Sequence, residues 1–286
     1  MKGFFSVLAG FILVCFCSIV EAQNFAPPQS LNAKDLASPQ SDTTIAYLFS
    51  RLAKSQNDSS RIAVNDSIIT AVESYVNSES VFRTNYRNAR YLGQITSPDS
   101  MLKIVTWNLA LENNNGRYYS YIIRKSNTGK KNKIYSLSTS YNQQPILSDT
   151  IYKRSDWYGS LYYDVRPAIS SGDTCWVVLG LSLGDPLVSR KIIDVISFDD
   201  DDSIVLGKKW FLKTTLKHRM LFEYASIGTM TLRFTSDKSI LFDHLVAIGP
   251  GPDNRTLFGA DYSYDSFTFT NETWIFQQNV EARNKE

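Results

Sequence analysis

The sequence predicts a mainly β protein, an antiparallel meander of about twelve strands with a small N-terminal helical region. Short β-branched and aromatic runs, separated by turn residues, recur roughly every 15 residues from about Leu102 onward. No helical stretch separates these runs, which argues against a parallel α/β sheet. Two apolar stripes with helical spacing precede them. A sandwich, a curved sheet and a propeller-like arrangement of the strands all stay open.

The first segment, 1–22, has the layout of a secretory signal peptide. A basic start precedes an apolar run from Phe4 to Val20, and Ala22 stands at the cleavage position, so we expect the mature chain to begin at Gln23. An uncleaved membrane anchor is the less favoured alternative, because about 17 apolar residues lie at the short limit for a span. We therefore expect an exported protein, periplasmic, outer-membrane-associated or extracellular, with no transmembrane span after cleavage.

The next two segments are a flexible leader over 23–41 and a helical region over 42–95. The leader is polar and contains proline without periodicity. The first helix carries an apolar stripe after a cap at Ser41 or Asp42: Ile45, Leu48, Phe49 and Leu52. The second carries another stripe after a cap at Asn65 or Asp66: Ile68, Ile69, Val72, Tyr75 and Val76. Each stripe needs an apolar partner surface.

The last segment, 96–286, is the antiparallel β domain. Its twelve candidate strands are Leu102–Leu109, Tyr118–Arg124, Lys133–Leu137, Leu161–Val165, Cys175–Leu181, Ile192–Phe198, Ile204–Leu206, Met220–Tyr224, Met230–Phe234, Ser239–Phe242, Ser266–Phe269 and Thr273–Phe276. Three similar hairpins have tips roughly 35 residues apart, a spacing that blade-like repeats and plain meanders share: Asp199–Asp202, Thr235–Lys238 and Thr270–Glu272. The first tip lacks the alternating spacing of a calcium loop and is interpreted as solvated.

Composition limits the classes of function. The chain carries 28 Asp+Glu against 30 Lys+Arg and is 43% hydrophobic, which suits a sizeable core. A nucleic-acid binder would need a concentrated basic face, so none is predicted. With two histidines a His-rich metal site is nearly excluded, and neither a metal nor a cofactor is predicted. Signal cleavage leaves one cysteine, Cys175, which is interpreted as a small core residue and not as a nucleophile.

No catalytic residue is predicted. Asp243 and His244 are adjacent on a strand and point to opposite faces, and no orienting carboxylate is evident for either histidine. No Gly-x-Ser-x-Gly nucleophile elbow occurs. A carboxylate pair for glycoside hydrolysis stays open, because its spacing is spatial and not sequential; the candidates are Glu223, Asp243, Asp261 and Asp265.

Aromatic side chains offer the best indication of binding. Tyrosine and tryptophan supply flat faces that stack on sugar rings or peptides, although such residues more often fill the cores of β proteins. The candidate ligand-binding residues are Trp157, Tyr158, Asp261, Tyr262 and Tyr264.

A recurrent triplet marks candidate modification sites. Asp followed by Ser or Thr and then by an aliphatic residue, Met or Thr occurs five times. This triplet is similar to the O-glycosylation signal of Bacteroidetes envelope proteins. The candidate acceptors are Thr43, Ser67, Ser100, Thr150 and Ser203.

Several stretches of the β domain resemble a family of uncharacterised exported proteins from Bacteroidetes. They are WYGSLYYDV at 157–165, SRKIIDVISFDDD at 189–201, RMLFEYASIGTMTLRF at 219–234, ILFDHL at 240–245 and YSYDSFTFTNETWIF at 262–276. The resemblance covers about Leu102 to Arg283 and departs at 179–182, where Leu-Gly-Leu-Ser replaces the family's Gly-Trp-Asp. The family has no assigned activity, so the resemblance implies a bacterial envelope lineage and no catalytic residue.

The sequence therefore predicts an exported envelope or cell-surface protein that acts as a non-enzymatic binding or accessory module for a protein partner or a glycan. The alternative is a polysaccharide hydrolase that uses an Asp/Glu carboxylate pair. Two carboxylates within roughly 5–10 Å across an open cleft would favour the hydrolase. An exposed aromatic patch without such a pair would favour binding.

Overall fold

The computed structural model describes residues 39–126, 128, 131–170 and 172–281. The expected signal peptide, 1–22, and all but the last three residues of the leader lie outside the described residues. The described chain has two α-helices followed by fifteen strands, which confirms the predicted fold class. Within these ranges, no helix has the length and apolar character that crossing a membrane requires.

The two helices stand at the N-terminal end of the described chain: α1 spans Pro39–Lys54 and α2 spans Asp58–Val76. Asn57 caps α2, since its side-chain oxygen accepts the backbone N–H of Ser60 at 2.9 Å. The predicted cap at Asn65 or Asp66 is wrong, because α2 already runs through both positions. Asn65 is buried instead, and its side-chain oxygen accepts the indole N–H of Trp107 at 3.0 Å.

Sheet A packs against both helices. Its antiparallel order is β1–β2–β3–β4. The strands are β1 Gly93–Thr96, β2 Leu102–Ala110, β3 Gly116–Arg124 and β4 Lys133–Ser140. On one face of the sheet, Trp107 and Tyr121 share a core with Phe49 of α1 and with Ile68 and Val72 of α2. This face is the partner that the two apolar stripes require.

Sheet B covers the other face of sheet A. Its order is β11–β7–β6–β5, with β8 paired to β7. The strands are β5 Leu161–Ser170, β6 Asp173–Ser182, β7 Val188–Phe198, β8 Ile204–Leu206 and β11 Met220–Ala225. Ile104 and Ile122 of sheet A share a core with Val178 and Ile192 of sheet B.

Sheet C covers the second face of sheet B. Its order is β10–β9–β15–β14–β13–β12, and the β9–β15 pair is parallel. The strands are β9 Phe211–Leu212, β10 Leu216–Lys217, β12 Leu232–Ser236, β13 Ser239–Pro250, β14 Thr256–Thr270 and β15 Thr273–Gln277. Val177 and Ile193 of sheet B share a core with Phe242 and Phe267 of sheet C.

The described chain is thus a stack of four layers: helices, sheet A, sheet B and sheet C. Successive side chains on a strand point to opposite faces, so Val177 packs toward sheet C while Val178 packs toward sheet A. Burial on both faces explains why β6 is almost continuously apolar. Of the three arrangements left open by the sequence, the layered sandwich is the one observed.

The elements match the predictions closely, with three strands missed. All twelve predicted strands are present, and the three similar hairpins pair as expected. Sequence patterns miss β1, β9 and β10, because two to four residues are too short to show an alternation. β1 lies in the region 42–95 that was expected to be helical, and α1 begins inside the expected leader 23–41.

The acidic hairpin tip between β7 and β8 is docked on sheet A. The Asp202 carboxylate accepts Nη1 of Arg124 at 2.6 Å and also contacts the ammonium of Lys133. The hydrogen bond from Lys133 holds the pKa of Asp202 below its ordinary value. Asp199, Asp200 and Asp201 of this tip are exposed, as expected from sequence, whereas Asp202 forms a contact between two sheets.

A buried ion pair lies beside β7, where β8 and β11 meet along this strand. Asp194 and Arg219 are both fully buried, and Nε of Arg219 lies 3.0 Å from Oδ2 of Asp194. The remaining guanidinium nitrogens donate to three backbone carbonyls, those of Leu147, Thr150 and Leu206. Arg219 thereby ties the 147–150 loop and β8 to β7.

Lys103 of β2 is a fully buried cation held by neutral oxygens. Its ammonium donates to the carbonyls of Val81 and Thr84 at 2.6 and 2.7 Å and to the side-chain oxygen of Asn85 at 2.7 Å. Burial lowers the pKa of Lys103 from 10.5 to about 8.

This lowered pKa predicts a pH-dependent stability. Between pH 8 and pH 10 the folded chain releases a Lys103 proton that the unfolded chain keeps, so the free energy of unfolding rises with pH. Between pH 7 and pH 10, we expect the free energy of unfolding of wild type to rise by about 2 to 3 kcal/mol relative to that of Lys103→Met. Urea denaturation of both proteins at both pH values measures this gain. A difference that is constant with pH would contradict it.

Candidate functional site

The candidate site lies where β13 and β14 change register. The strands pair regularly on both sides of the shift, and within it His244 alone stands opposite three residues, Asp261, Tyr262 and Ser263. A bulge of this kind leaves residues outside the ladder and re-aims their side chains. We name the bulge site after its five residues: His244, Asp261, Tyr262, Ser263 and Asp265.

Tyr262 is the most prominent residue of the bulge site. The residue is 95% exposed, and its φ of +68° lies in the left-handed region. That conformation costs a residue with a Cβ atom about 1–2 kcal/mol, and a bulky residue there is uncommon. A strained backbone therefore presents an aromatic ring to solvent, an arrangement that is typical of functional positions.

Replacing Tyr262 with glycine is expected to stabilise the protein. Glycine adopts a positive φ without penalty, so the free energy of unfolding should rise by about 1 kcal/mol. Tyr47, an exposed tyrosine inside α1, is the matched control, because Tyr47→Gly should lower stability by about 0.5 kcal/mol. Urea denaturation measures both variants. A loss of stability in Tyr262→Gly would show that the ring is structural.

His244 is oriented by a buried carboxylate. Its Nδ1 lies 2.8 Å from Oδ2 of Asp265, whose other oxygen accepts the backbone N–H of Asn279 at 3.1 Å. Asp265 is 2% exposed, whereas the His244 side chain is 25% exposed. The expectation that neither histidine has an orienting partner is therefore wrong for His244. The sequence indicates the hairpin partners but not this contact, since Asp265 lies on the neighbouring strand and the register determines which residues meet.

Asp261 and Ser263 complete the polar part of the bulge site. Oδ1 of Asp261 accepts both the hydroxyl of Ser263 at 2.7 Å and its backbone N–H at 3.0 Å. The Ser263 hydroxyl, its backbone N–H and the nearby His244 ring hold the pKa of the exposed Asp261 carboxyl below its ordinary value. Tyr264, the neighbouring candidate residue, is half-buried, and its carbonyl accepts the backbone N–H of Val280.

The structure does not place Trp157 and Tyr158 with the other predicted ligand-binding residues. Both are buried between sheets A and B, with exposures of 1% and 4%. The indole N–H of Trp157 donates to the hydroxyl of Tyr162 at 3.0 Å, and the hydroxyl of Tyr158 donates to Asp194 at 2.6 Å. This pair is part of the core, because its polar atoms are satisfied inside it.

The carboxylates considered for glycoside hydrolysis each have a local partner. In addition to the bulge-site pairs, Asp243 accepts the backbone N–H of Thr231 at 2.7 Å, and Glu223 accepts Nε of Arg190 at 2.7 Å. In the described part of the chain, no three His, Cys, Asp or Glu side chains are grouped closely enough to hold a metal ion.

The candidate O-glycosylation residues lie on the surface to differing extents. Four are exposed, and Thr150 is half-buried with its carbonyl bound to Arg219. The exposed ones lie on the two helices, in the turn before β2 and at the β7–β8 tip: Thr43, Ser67, Ser100 and Ser203. The thiol of Cys175 is buried, and burial raises its pKa, as suits an inert core residue.

Comparisons with known protein families, curated proteins and solved structures find no match. The resemblance to exported Bacteroidetes proteins therefore stays a prediction.

Proposed function

We propose that this chain is an exported, non-enzymatic binding module that contacts a protein partner or a glycan through the bulge site. The observation that carries the proposal is Tyr262, a fully exposed aromatic ring held in a strained conformation. Aromatic residues with one polar end are enriched at contact surfaces, because they bury a large apolar area and also form hydrogen bonds. Folding alone gives no reason to keep a tyrosine at this position.

Binding is favoured over hydrolysis by the partners of the carboxylates. A glycosidase needs one carboxylic acid and one carboxylate that face each other across the sugar. Here Asp243 and Glu223 are engaged by Thr231 and Arg190, and Asp265 is 2% exposed behind His244. The exposed carboxyl, Asp261, has a lowered pKa, which is opposite to what a general acid requires.

The contact is tested by placing a photo-crosslinking residue at position 262 in cells of the source organism. We expect Tyr262→p-benzoylphenylalanine to give a discrete crosslinked product after irradiation. The same residue at position 47, an exposed tyrosine on the helical layer at the opposite end of the stack, should give none. Equal products at both positions, or none at 262, would contradict the proposal.

Export is tested separately on the protein recovered from the same cells. N-terminal sequencing of the envelope and extracellular fractions should find Gln23 as the first residue. Recovery of a chain that begins at Met1 in the cytosolic fraction would contradict export.

A further inference from the structure

The Asp265 carboxylate determines which hydrogen bonds His244 can offer. An ionised carboxylate only accepts hydrogen bonds. Opposite an ionised Asp265, Nδ1 of His244 therefore carries a hydrogen and donates it in a hydrogen bond to Oδ2 of Asp265, 2.8 Å away. In the neutral ring the other nitrogen, Nε2, is then an acceptor without a proton. A neutral His244 therefore offers a hydrogen-bond acceptor, Nε2, on a side chain that is partly exposed to solvent.

Asp261 provides a second acceptor at the same place. Both bonds from Ser263 end on Oδ1 of Asp261, and among the described residues no bond ends on its Oδ2. Asp261 lies across the register shift from His244, which stands opposite residues 261–263. Two hydrogen-bond acceptors, Nε2 of His244 on β13 and the Asp261 carboxylate on β14, thus lie at the register shift. Tyr262 lies between Asp261 and Ser263 in the chain.

These groups restrict the chemistry of a ligand. It must bring hydrogen-bond donors for the two acceptors and an apolar face for the tyrosine ring. A negatively charged ligand would face the exposed carboxylate of Asp261, and Arg255 of the same ribbon is already bound to Asp185 and Asp253. A ring that carries hydroxyl groups as donors, has an apolar C–H face and bears no negative charge satisfies these conditions.

We infer that the bulge site binds a neutral sugar ring, which stacks on Tyr262 and donates its hydroxyl protons to Nε2 of His244 and to Asp261. The inference rests on the proposed binding function and names the class of ligand. Asp265 is a positioning residue in this arrangement, because it acts on the ligand only through the His244 ring.

The ligand class is tested on an array of printed neutral and acidic glycans with the full mature protein. We expect retention of neutral glycans, weakened at least tenfold by Tyr262→Ala and about fivefold by His244→Phe, which removes one hydrogen bond. Tyr47→Ala should bind as wild type does. Preference for acidic glycans or for cationic peptides printed beside them, retention that survives Tyr262→Ala, or no retention would each overturn the inference.

The role of Asp265 is tested by nitrogen-15 NMR of the imidazole rings, which is tractable because the chain has two histidines. Wild type should show Nδ1 of His244 protonated and Nε2 unprotonated, with the Nε2 resonance moving when a neutral glycan is added. Asp265→Asn should shift the proton toward Nε2 and weaken binding. A protonated Nε2 in wild type would overturn the inference. A crosslinked protein at position 262 without glycan binding would reject the sugar and leave the binding function standing.

Discussion

Replacing Asp194 with alanine is expected to lower the free energy of unfolding by about 3 to 5 kcal/mol, one of the two largest effects expected in this protein. Asp194 and Arg219 have no solvent-exposed side-chain surface, and their contact is 3.0 Å long. Removing the carboxylate leaves a buried guanidinium without a counter-charge, and it also leaves the Tyr158 hydroxyl without its acceptor. Urea denaturation monitored by tryptophan fluorescence measures the change.

The double variant Asp194→Leu, Arg219→Met is the control for this prediction. It removes both charges, so no buried ion is left alone, and at least half of the lost stability should return. Recovery is incomplete because the carbonyls of Leu147, Thr150 and Leu206 lose their donor. If Asp194→Ala costs less than about 1 kcal/mol, the pair does not tie the 147–150 loop to β7.

Replacing Trp274 with alanine is expected to cost about 3 to 5 kcal/mol, because it empties the centre of the core between sheets B and C. Trp274 is fully buried on β15 and packs against Phe211 and Phe269, with ring centroids 6.3 and 5.2 Å away. Its strand joins β9 to β14, so the cavity would lie where three strands meet. Urea denaturation measures this loss, and an unchanged m-value would show that the variant differs in stability alone.

Trp274→Phe and Trp107→Phe form a matched pair that isolates the indole hydrogen bond. Nε1 of Trp274 has no hydrogen-bond partner among the described residues, whereas Nε1 of Trp107 donates to the buried oxygen of Asn65 at 3.0 Å. Trp107→Phe leaves that oxygen unsatisfied and should cost about 1 to 3 kcal/mol more than Trp274→Phe. Equal losses would show that the Asn65 bond contributes nothing to stability.

Sequence patterns predict most of the secondary structure because the deciding interactions are local. The twelve alternating or apolar runs all form strands, and the stripe from Ile45 to Leu52 lies in a helix. The patterns fail where an element is too short to show a period, as in β9 and β10. They also misplace the start of α2, since Asn65 resembles a cap but serves as the partner of Trp107 in the core.

The bulge site was only partly accessible to prediction. Aromatic and acidic content indicated Tyr262, Tyr264 and Asp261, but the same reasoning also selected Trp157 and Tyr158, which are buried. His244 had no evident orienting partner, although Asp265 is bound to it. No local pattern separates these cases, because exposure and partner choice depend on how two distant strands align.

By itself the sequence determined the class of the fold, the hairpins and the almost continuously apolar run of β6. These features follow from side-chain type and from the two-residue period of a strand. Only the tertiary structure decided that the sheets stack in four layers with the helices, and that a register shift leaves Tyr262 in solvent beside His244. The physical reason is that register and layer contacts join residues far apart in the chain, and one residue of shift reverses which side chains are buried.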